Sequence, residues 1–271
     1  MSKKALKYSD TKYILLKRKK RAKGFFVFLF CVIIFVFMLF ASSVFTDVLK
    51  VGNFSFLFSN SVKINSHSYY AISMGEYKTD KEAQNVASGV SVMGAGAYVW
   101  FNQGVYYVLG NAYENLLDAQ TVLKNVSGNN YDVKIKEIKY NKITINSNDY
   151  SDEQKQVLLN AIKNIDDIFK NCYNYSIQFD KGEVVSTVVS SRLNTLKSDV
   201  KIWQDKVDLI NSVVVTNQGL YIKNAYIGLI SELENAVLKV IDGTSVNKDL
   251  KYLTCAVSII KYDLYNNINN L

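Results

Sequence analysis

Hydrophobic and polar positions along this chain fall into three regimes, and each predicts a different kind of element. Phe25 to Ala41 is seventeen residues without one polar side chain. Extended to Gly24 and Phe45 the stretch reaches 22 residues, roughly 33 Å of helix at ~1.5 Å per residue, enough to span a hydrocarbon core. Between residues 69 and 138 the apolar positions come in short alternating runs separated by short helical ones. From 149 to 271 they recur with helical period over long stretches. The expected order is a transmembrane helix at 24–45, a juxtamembrane linker at 46–68, a small α/β domain at 69–138 and a helical domain at 149–271.

The middle region repeats itself with a period of 36 residues. Tyr70-Ala-Ile72-Ser-Met-Gly75-Glu-Tyr77 lies over Tyr106-Tyr-Val108-Leu-Gly110-Asn-Ala-Tyr113. The register continues without a gap through Ala83-Gln84 over Ala119-Gln120 and Val90-Ser91 over Val126-Ser127, and such duplication is a fold-level signal. Each copy reads as strand, turn, helix. Tyr70, Ile72 and Met74 alternate with smaller residues, as in a half-buried strand. Thr79-Asp-Lys-Glu82 has the form of a capping box, and Ala83, Val86, Ala87 and Val90 follow helical spacing. Ala97 to Phe101 turns through Asn102-Gln103-Gly104 into Val105 to Leu109. A second helix carries Leu116, Ala119, Val122, Leu123 and Val126, and Val133 and Ile135 mark a fourth strand. The fold class is α+β: βαββαβ, a ferredoxin-like or ribonucleoprotein-like split-βαβ unit with helices on one sheet face.

Four helical stretches follow, near 151–172, 183–214, 218–241 and 247–266, with Asp180-Lys-Gly182 and Ile241-Asp-Gly243 as connections. Short loops between long helices predict an antiparallel four-helix bundle. Its stripes (Val157, Leu158, Ala161, Ile162, Ile165, Ile168 and Phe169 on the first; Val185, Val188, Val189, Leu193, Leu196, Val200, Trp203, Val207 and Ile210 on the second) read as core. A groove for a partner protein is the other use of such faces.

Charge changes the picture in one respect. The chain is +8, but ten of its basic residues and a single acid, Asp10, precede the apolar span. That asymmetry predicts a cytoplasmic N-terminus and everything after the span outside. A cleaved signal peptide ending at Ala41-Ser42-Ser43 is the competing reading, disfavoured by the length of the basic region and of the apolar core. The remainder of the chain is close to neutral, so its high pI gives no ground for nucleic-acid binding. Cys31 lies in the span; Cys172 and Cys255 are read as two buried thiols, with a disulfide as the alternative.

The duplicated Tyr-x-[Val/Ile]-x-x-Gly-x-[Phe/Tyr] pattern, each copy followed by a helix with [Glu/Asp]-Ala, resembles the sporulation-related repeat (SPOR) domain. Placement behind one N-terminal anchor resembles the architecture of that family. Two positions depart from the family pattern: Ser73 stands where Gln is usual, and Gly110-Asn111 stands where an apolar residue precedes Gly. The resemblance implies binding to peptidoglycan, especially glycan strands stripped of stem peptides, at division or sporulation septa, through an open sheet face. Strand parity sends Ile72, Met74, Tyr106, Val108, Ala97 and Val99 toward the helices. It leaves Ser73, Tyr98, Trp100, Val105, Tyr107 and Leu109 as the expected glycan-binding residues, since sugar C–H faces pack on aromatic rings while hydroxyls need polar neighbours. Alternatively, these rings cover the sheet against the helical bundle.

Catalytic chemistry is sparse. His67 is the single histidine, which excludes the multi-histidine zinc site of a cell-wall amidase and a convincing Ser-His-Asp triad. Glu153, Glu183, Glu232 and Glu234 sit among polar residues and read as solvated. No cofactor, metal or phosphate-cradling loop is indicated. The expected function is therefore a non-enzymatic, membrane-anchored peptidoglycan-binding protein, probed by its glycan partner and by an envelope or divisome protein docking on the helices. A glycan-cleaving enzyme with a cryptic Glu in the helical domain is the alternative. RNA binding is disfavoured because the third strand lacks the basic and paired aromatic signature.

Overall fold

The 36-residue repeat folds twice into strand, cap and helix. The computed structural model of the protein describes residues 61–126, 131–146, 148–243 and 245–271. Strand β1 (Ser61–Ile64) precedes the first copy, which comprises β2 (His67–Tyr77) and α1 (Asp80–Val92). Strand β3 (Tyr98–Asn102) leads into the second copy, β4 (Val105–Tyr113) and α2 (Leu116–Val126). Then follow β5 (Lys134–Tyr140) and β6 (Ile143–Asn146). The Thr79 hydroxyl accepts from Glu82 N–H while the Glu82 carboxylate accepts from Thr79 N–H, closing the expected capping box. Thirty-six residues later Asn115 and Asp118 repeat the device, Asn115 Oδ1 accepting from Asp118 N–H. The duplication therefore reaches down to the caps.

Four strands form one antiparallel sheet in the order β3-β4-β2-β5, the split-βαβ order expected from the sequence. Gln103 and Gly104, both with positive φ, make the two-residue turn between β3 and β4. The register between β2 and β4 slips at Gly110, which is passed over between the pairs Ile72–Asn111 and Ser73–Leu109. Gly110 is the repeat equivalent of Met74. A Cβ there would lie 2.7 Å from the Met74 methyl, so one copy keeps a side chain at this position and the other makes room for it. Met74, Val99, Tyr106 and Val108 pack with α1, and Ile72 with α2, as parity predicts.

Two elements fall where connections were expected. β1 and β6 pair with each other as a separate two-stranded sheet, Ser61 opposite Asn146 and Ile64 opposite Ile143. The last part of the presumed linker is thus strand, and so is the passage into the helices. Four long helices follow: α3 (Asp152–Asp180), α4 (Ser186–Val213), α5 (Asn217–Asp242) and α6 (Val246–Asn269). Each packs on the next and α6 returns to α3, giving the expected bundle. Val185 and Val188, assigned to the core stripe, are exposed instead; α4 starts only at Ser186, so Val185 is its cap and Val188 lies in its first turn. Among the described residues the fold is thus mixed α+β, with six helices and two antiparallel sheets.

The principal difference from expectation lies in what the sheet faces. Ser59–Leu271 is one compact unit. α6 packs against α3 and α5 on one side and against β3, β4, β5 and β6 on the other. A single hydrophobic core runs from Ala71, Trp100, Tyr107, Leu109 and Ile138 into the bundle residues Leu158, Ile165, Leu229 and Leu253. The boundary between 69–138 and 149–271 is one of secondary structure and not of packing. No helix among the described residues is long and apolar enough to cross a membrane; the span expected at 24–45 lies outside them.

Candidate functional site

Parity assigned the right residues to the right face, and α6 covers that face. Trp100 is 4% exposed, Tyr107 7%, and Leu109 and Ser73 are equally buried. Tyr98 and Val105 are half-buried against the same core. Trp100 meets Tyr262 of α6 edge-on at 5.1 Å, and Tyr98 meets Tyr252 at the same distance. The Tyr107 hydroxyl accepts from Lys136 Nζ at 2.9 Å. Ser73 spends its hydroxyl on its own turn, donating to Gly75 O at 3.1 Å. The six expected glycan-binding residues do come together, but as the floor of a helix–sheet interface. The physical reason is α6 itself, which from Leu253 to Ile259 is buried all round, its two hydroxyls, Thr254 and Ser258, turned onto carbonyls of the helix itself. A helix of that kind is buried on more than one side.

Docking α6 so closely requires Gly96. A Cβ on Gly96 would stand 2.6 Å from Tyr252 N and 2.7 Å from the Lys251 carbonyl carbon. The Gly96 N–H donates to Gly110 O at 2.7 Å, and Lys251 Nζ donates to Gly94 O at 3.2 Å while pairing with Asp180 at 3.6 Å.

At the other end of the interface lies a polar cluster that the sequence did not announce. Lys261 of α6 has no exposed surface. Its ammonium donates to the Asp166 carboxylate of α3 and to Nε2 of His67, the residue that opens β2. Rings close around it: the centroids of Tyr140, Tyr69 and Tyr265 lie 4.6, 4.9 and 5.5 Å from Nζ. His67 stacks on Tyr140 at 4.6 Å, and the Tyr69 hydroxyl donates to Asp166. Burial lowers the His67 pKa, and the Lys261 charge lowers it further. For the Lys261 ammonium to donate to Nε2, the ring proton of His67 must sit on Nδ1, which faces Asn65 O at 3.5 Å. Burial also lowers the Lys261 pKa, opposed by Asp166. His67 was read as a linker residue.

The four candidate glutamates separate. Glu153 and Glu183 are exposed, and Glu234 is exposed and pairs with Lys197 at 3.8 Å. Glu232 departs from the solvated reading: it is half-buried, and burial raises its carboxyl pKa, with Lys239 opposing. Cys172 and Cys255 are free and buried, their thiols pushed up by burial, that of Cys172 to about 12. Among the described residues no group of His, Cys, Asp and Glu is arranged to hold a metal ion.

No protein-family model matches the chain, and no curated protein matches it. Among solved structures it is similar to the peptidoglycan binding domain of the B. subtilis cell wall lytic enzyme CwlC. That likeness covers 27% of this chain and 94% of the other, at 22% identity and a TM-score of 0.25. The chain is thus weakly similar in structure to a peptidoglycan-binding domain.

Proposed function

We propose that this protein is a membrane-anchored, non-enzymatic peptidoglycan-binding protein of the cell envelope. The observation that supports it is the duplicated motif, whose two copies fold as strand, cap and helix and assemble in the split-βαβ order. The anchor is the apolar span behind ten basic residues, which places the folded unit outside the cytoplasm. Denuded glycan strands at a division or sporulation septum are the ligand. With its aromatic sheet face closed by α6, the ectodomain meets glycan on its outer surface, and the long helices remain for an envelope partner.

The ectodomain from residue 59 to 271 is expected to sediment with amidase-treated sacculi and less well with untreated ones. Equal sedimentation with both, or none, would remove the glycan reading. A fluorescent fusion spread evenly around dividing and sporulating cells would remove the septal part alone. Glycan cleavage is the second reading, and half-buried Glu232 is the residue it would need. Purified cell walls should show no turbidity loss with the ectodomain; a loss abolished in Glu232→Gln would establish the enzyme.

A further inference from the structure

Because the sheet face is closed, any ligand surface must be sought where sheet unit and bundle meet solvent. The seam between α1 and the corner joining α5 to α6 holds a groove of about 390 Å³. Ser88 and Ser91 of α1 form one wall; Lys239, Asp242, Lys248 and Tyr252 form the other. Tyr252 is half-buried, with its inner side against Tyr98 at 5.1 Å, so the ring is held in place while part of it lines the groove. Lys239 Nζ lies 5.0 Å from the same ring. Asp249, also on the lining, is already engaged by the Ser245 hydroxyl at 2.8 Å.

Lys134, Lys155, Lys170, Lys181, Lys197, Lys201 and Lys223 each sit within ion-pair distance of a carboxylate. Among the described residues neither Lys239 nor Lys248 does, and nor does Asp242. The groove thus combines an oriented aromatic ring, hydroxyl groups on the opposite wall, two ammonium groups outside any ion pair, that of Lys239 beside the Tyr252 ring, and the Asp242 carboxylate. An aromatic flank with polar groups around it suits a sugar ring. Two cations outside any ion pair add a preference for a sugar that carries negative charge.

We infer that this groove is the glycan subsite, and that it selects strands bearing free carboxylates. In peptidoglycan the lactyl carboxylate of every second sugar is freed when the stem peptide is removed. In this assignment Lys239 and Lys248 hold that carboxylate, the exposed part of Tyr252 packs on the pyranose, and Asp242, Ser88 and Ser91 take hydroxyl and acetamido groups. The assignment rests on the peptidoglycan reading above and moves its contact from the sheet face to the seam.

The test uses the whole ectodomain, residues 59–271, and amidase-treated sacculi as the probe. Lys239→Gln combined with Lys248→Gln should weaken sedimentation about tenfold, the equivalent of ~1.4 kcal/mol, and flatten its dependence on salt. The melting temperature should hold, because neither side chain carries an ion pair of the fold. Lys134→Gln combined with Lys181→Gln, exposed and outside the groove, is the charge-matched control and should leave binding intact. Tyr252→Ala should weaken binding on both treated sacculi and neutral N-acetylglucosamine oligomers, whereas the lysine pair should matter only for the former. If wild type binds treated sacculi and the Lys239/Lys248 variant binds as well as the control, the groove assignment is overturned while the peptidoglycan reading stands. If wild type does not bind, both fall.

Discussion

A lysine with no exposed surface is the most consequential single residue in this fold. Lys261 is compensated by Asp166, whose side chain is 29% exposed, so the two members of the pair are not equivalent. Removing Asp166 strands a charge in the interior; removing Lys261 leaves a carboxylate that water can reach and that Tyr69 still bonds. Asp166→Ala should therefore cost about 3 kcal/mol, and Lys261→Met about 1 kcal/mol or less, measured by denaturant unfolding. An equal cost for both would show that water already reaches the ammonium. The same cluster makes stability depend on pH. His67 has a folded pKa below its ordinary value, so the unfolded chain takes up a proton first as pH falls. Stability is complete above about 6.5, the ordinary His value, and is lost on going down toward the lowered folded value. Lys261 opposes the His67 charge, while Asp166 and Glu114 favour it, and the tyrosines around it add no charge at these pH values. The melting temperature of wild type should fall between pH 7 and 5, and that of His67→Gln should fall less. Nothing in the hydrophobic pattern could have joined His67, Asp166 and Lys261. They are about 95 residues or more apart in the chain, and each alone resembles a surface residue.

At the scale of elements, α6 decides what the α/β unit can do. Spacing made the apolar stripes of α3 and α4 readable, Val185 and Val188 excepted. In α6 the sequence Leu253-Thr-Cys-Ala-Val-Ser-Ile-Ile260 has no charged side to set against a stripe. Period analysis registers such a helix but cannot tell which two surfaces will share it. The alternation in β3 and β4 had the same limit: it separates two faces and says nothing about what lies over the second. The Thr79–Glu82 capping box and the β3–β4 turn are set by residues within a few positions of each other and were legible, and strand order followed from the repeated strand–helix pattern. Gly96 tests the docking directly. Gly96→Ala drives a methyl into the backbone of α6 at Tyr252, and overpacking of this kind costs about 1–3 kcal/mol. Gly104→Ala is the contrast, since nothing stands within 4 Å of a Cβ there and only its positive φ resists. The two glycines should differ in one more respect: only Gly96→Ala should increase the quenching of Trp100 by a soluble agent, because only it lifts α6 from the sheet. Equal quenching in both variants would mean that the helix accommodates the methyl without moving.

At the scale of the whole molecule, sheet and bundle share a core and should unfold together. The unit of residues 59–271 is expected to give one cooperative thermal transition. A fragment of residues 66–147, stripped of α6, would present Trp100, Tyr107, Leu109 and Ile138 to water and should melt without cooperativity or associate. A sharp independent melt of that fragment would mean that α6 is an addition to a self-sufficient unit. The pairing of β1 with β6 has a mechanical side as well. Load applied to the chain ahead of Ser61 arrives at the same end of the pair from which β6 runs on toward α3. The bonds between the two strands are then stretched one after another, as in a zipper, and do not resist as a group. β1 should peel at low force and release the six residues before His67, about 20 Å of chain at ~3.4 Å per residue, before tension reaches β2 in the middle of the sheet. On the proposed reading, in which the chain ties a membrane to a wall, the pair would be a small extensible link at the point where the pull begins, and stretching single molecules from the N-terminus should reveal it as a short step ahead of the main rupture.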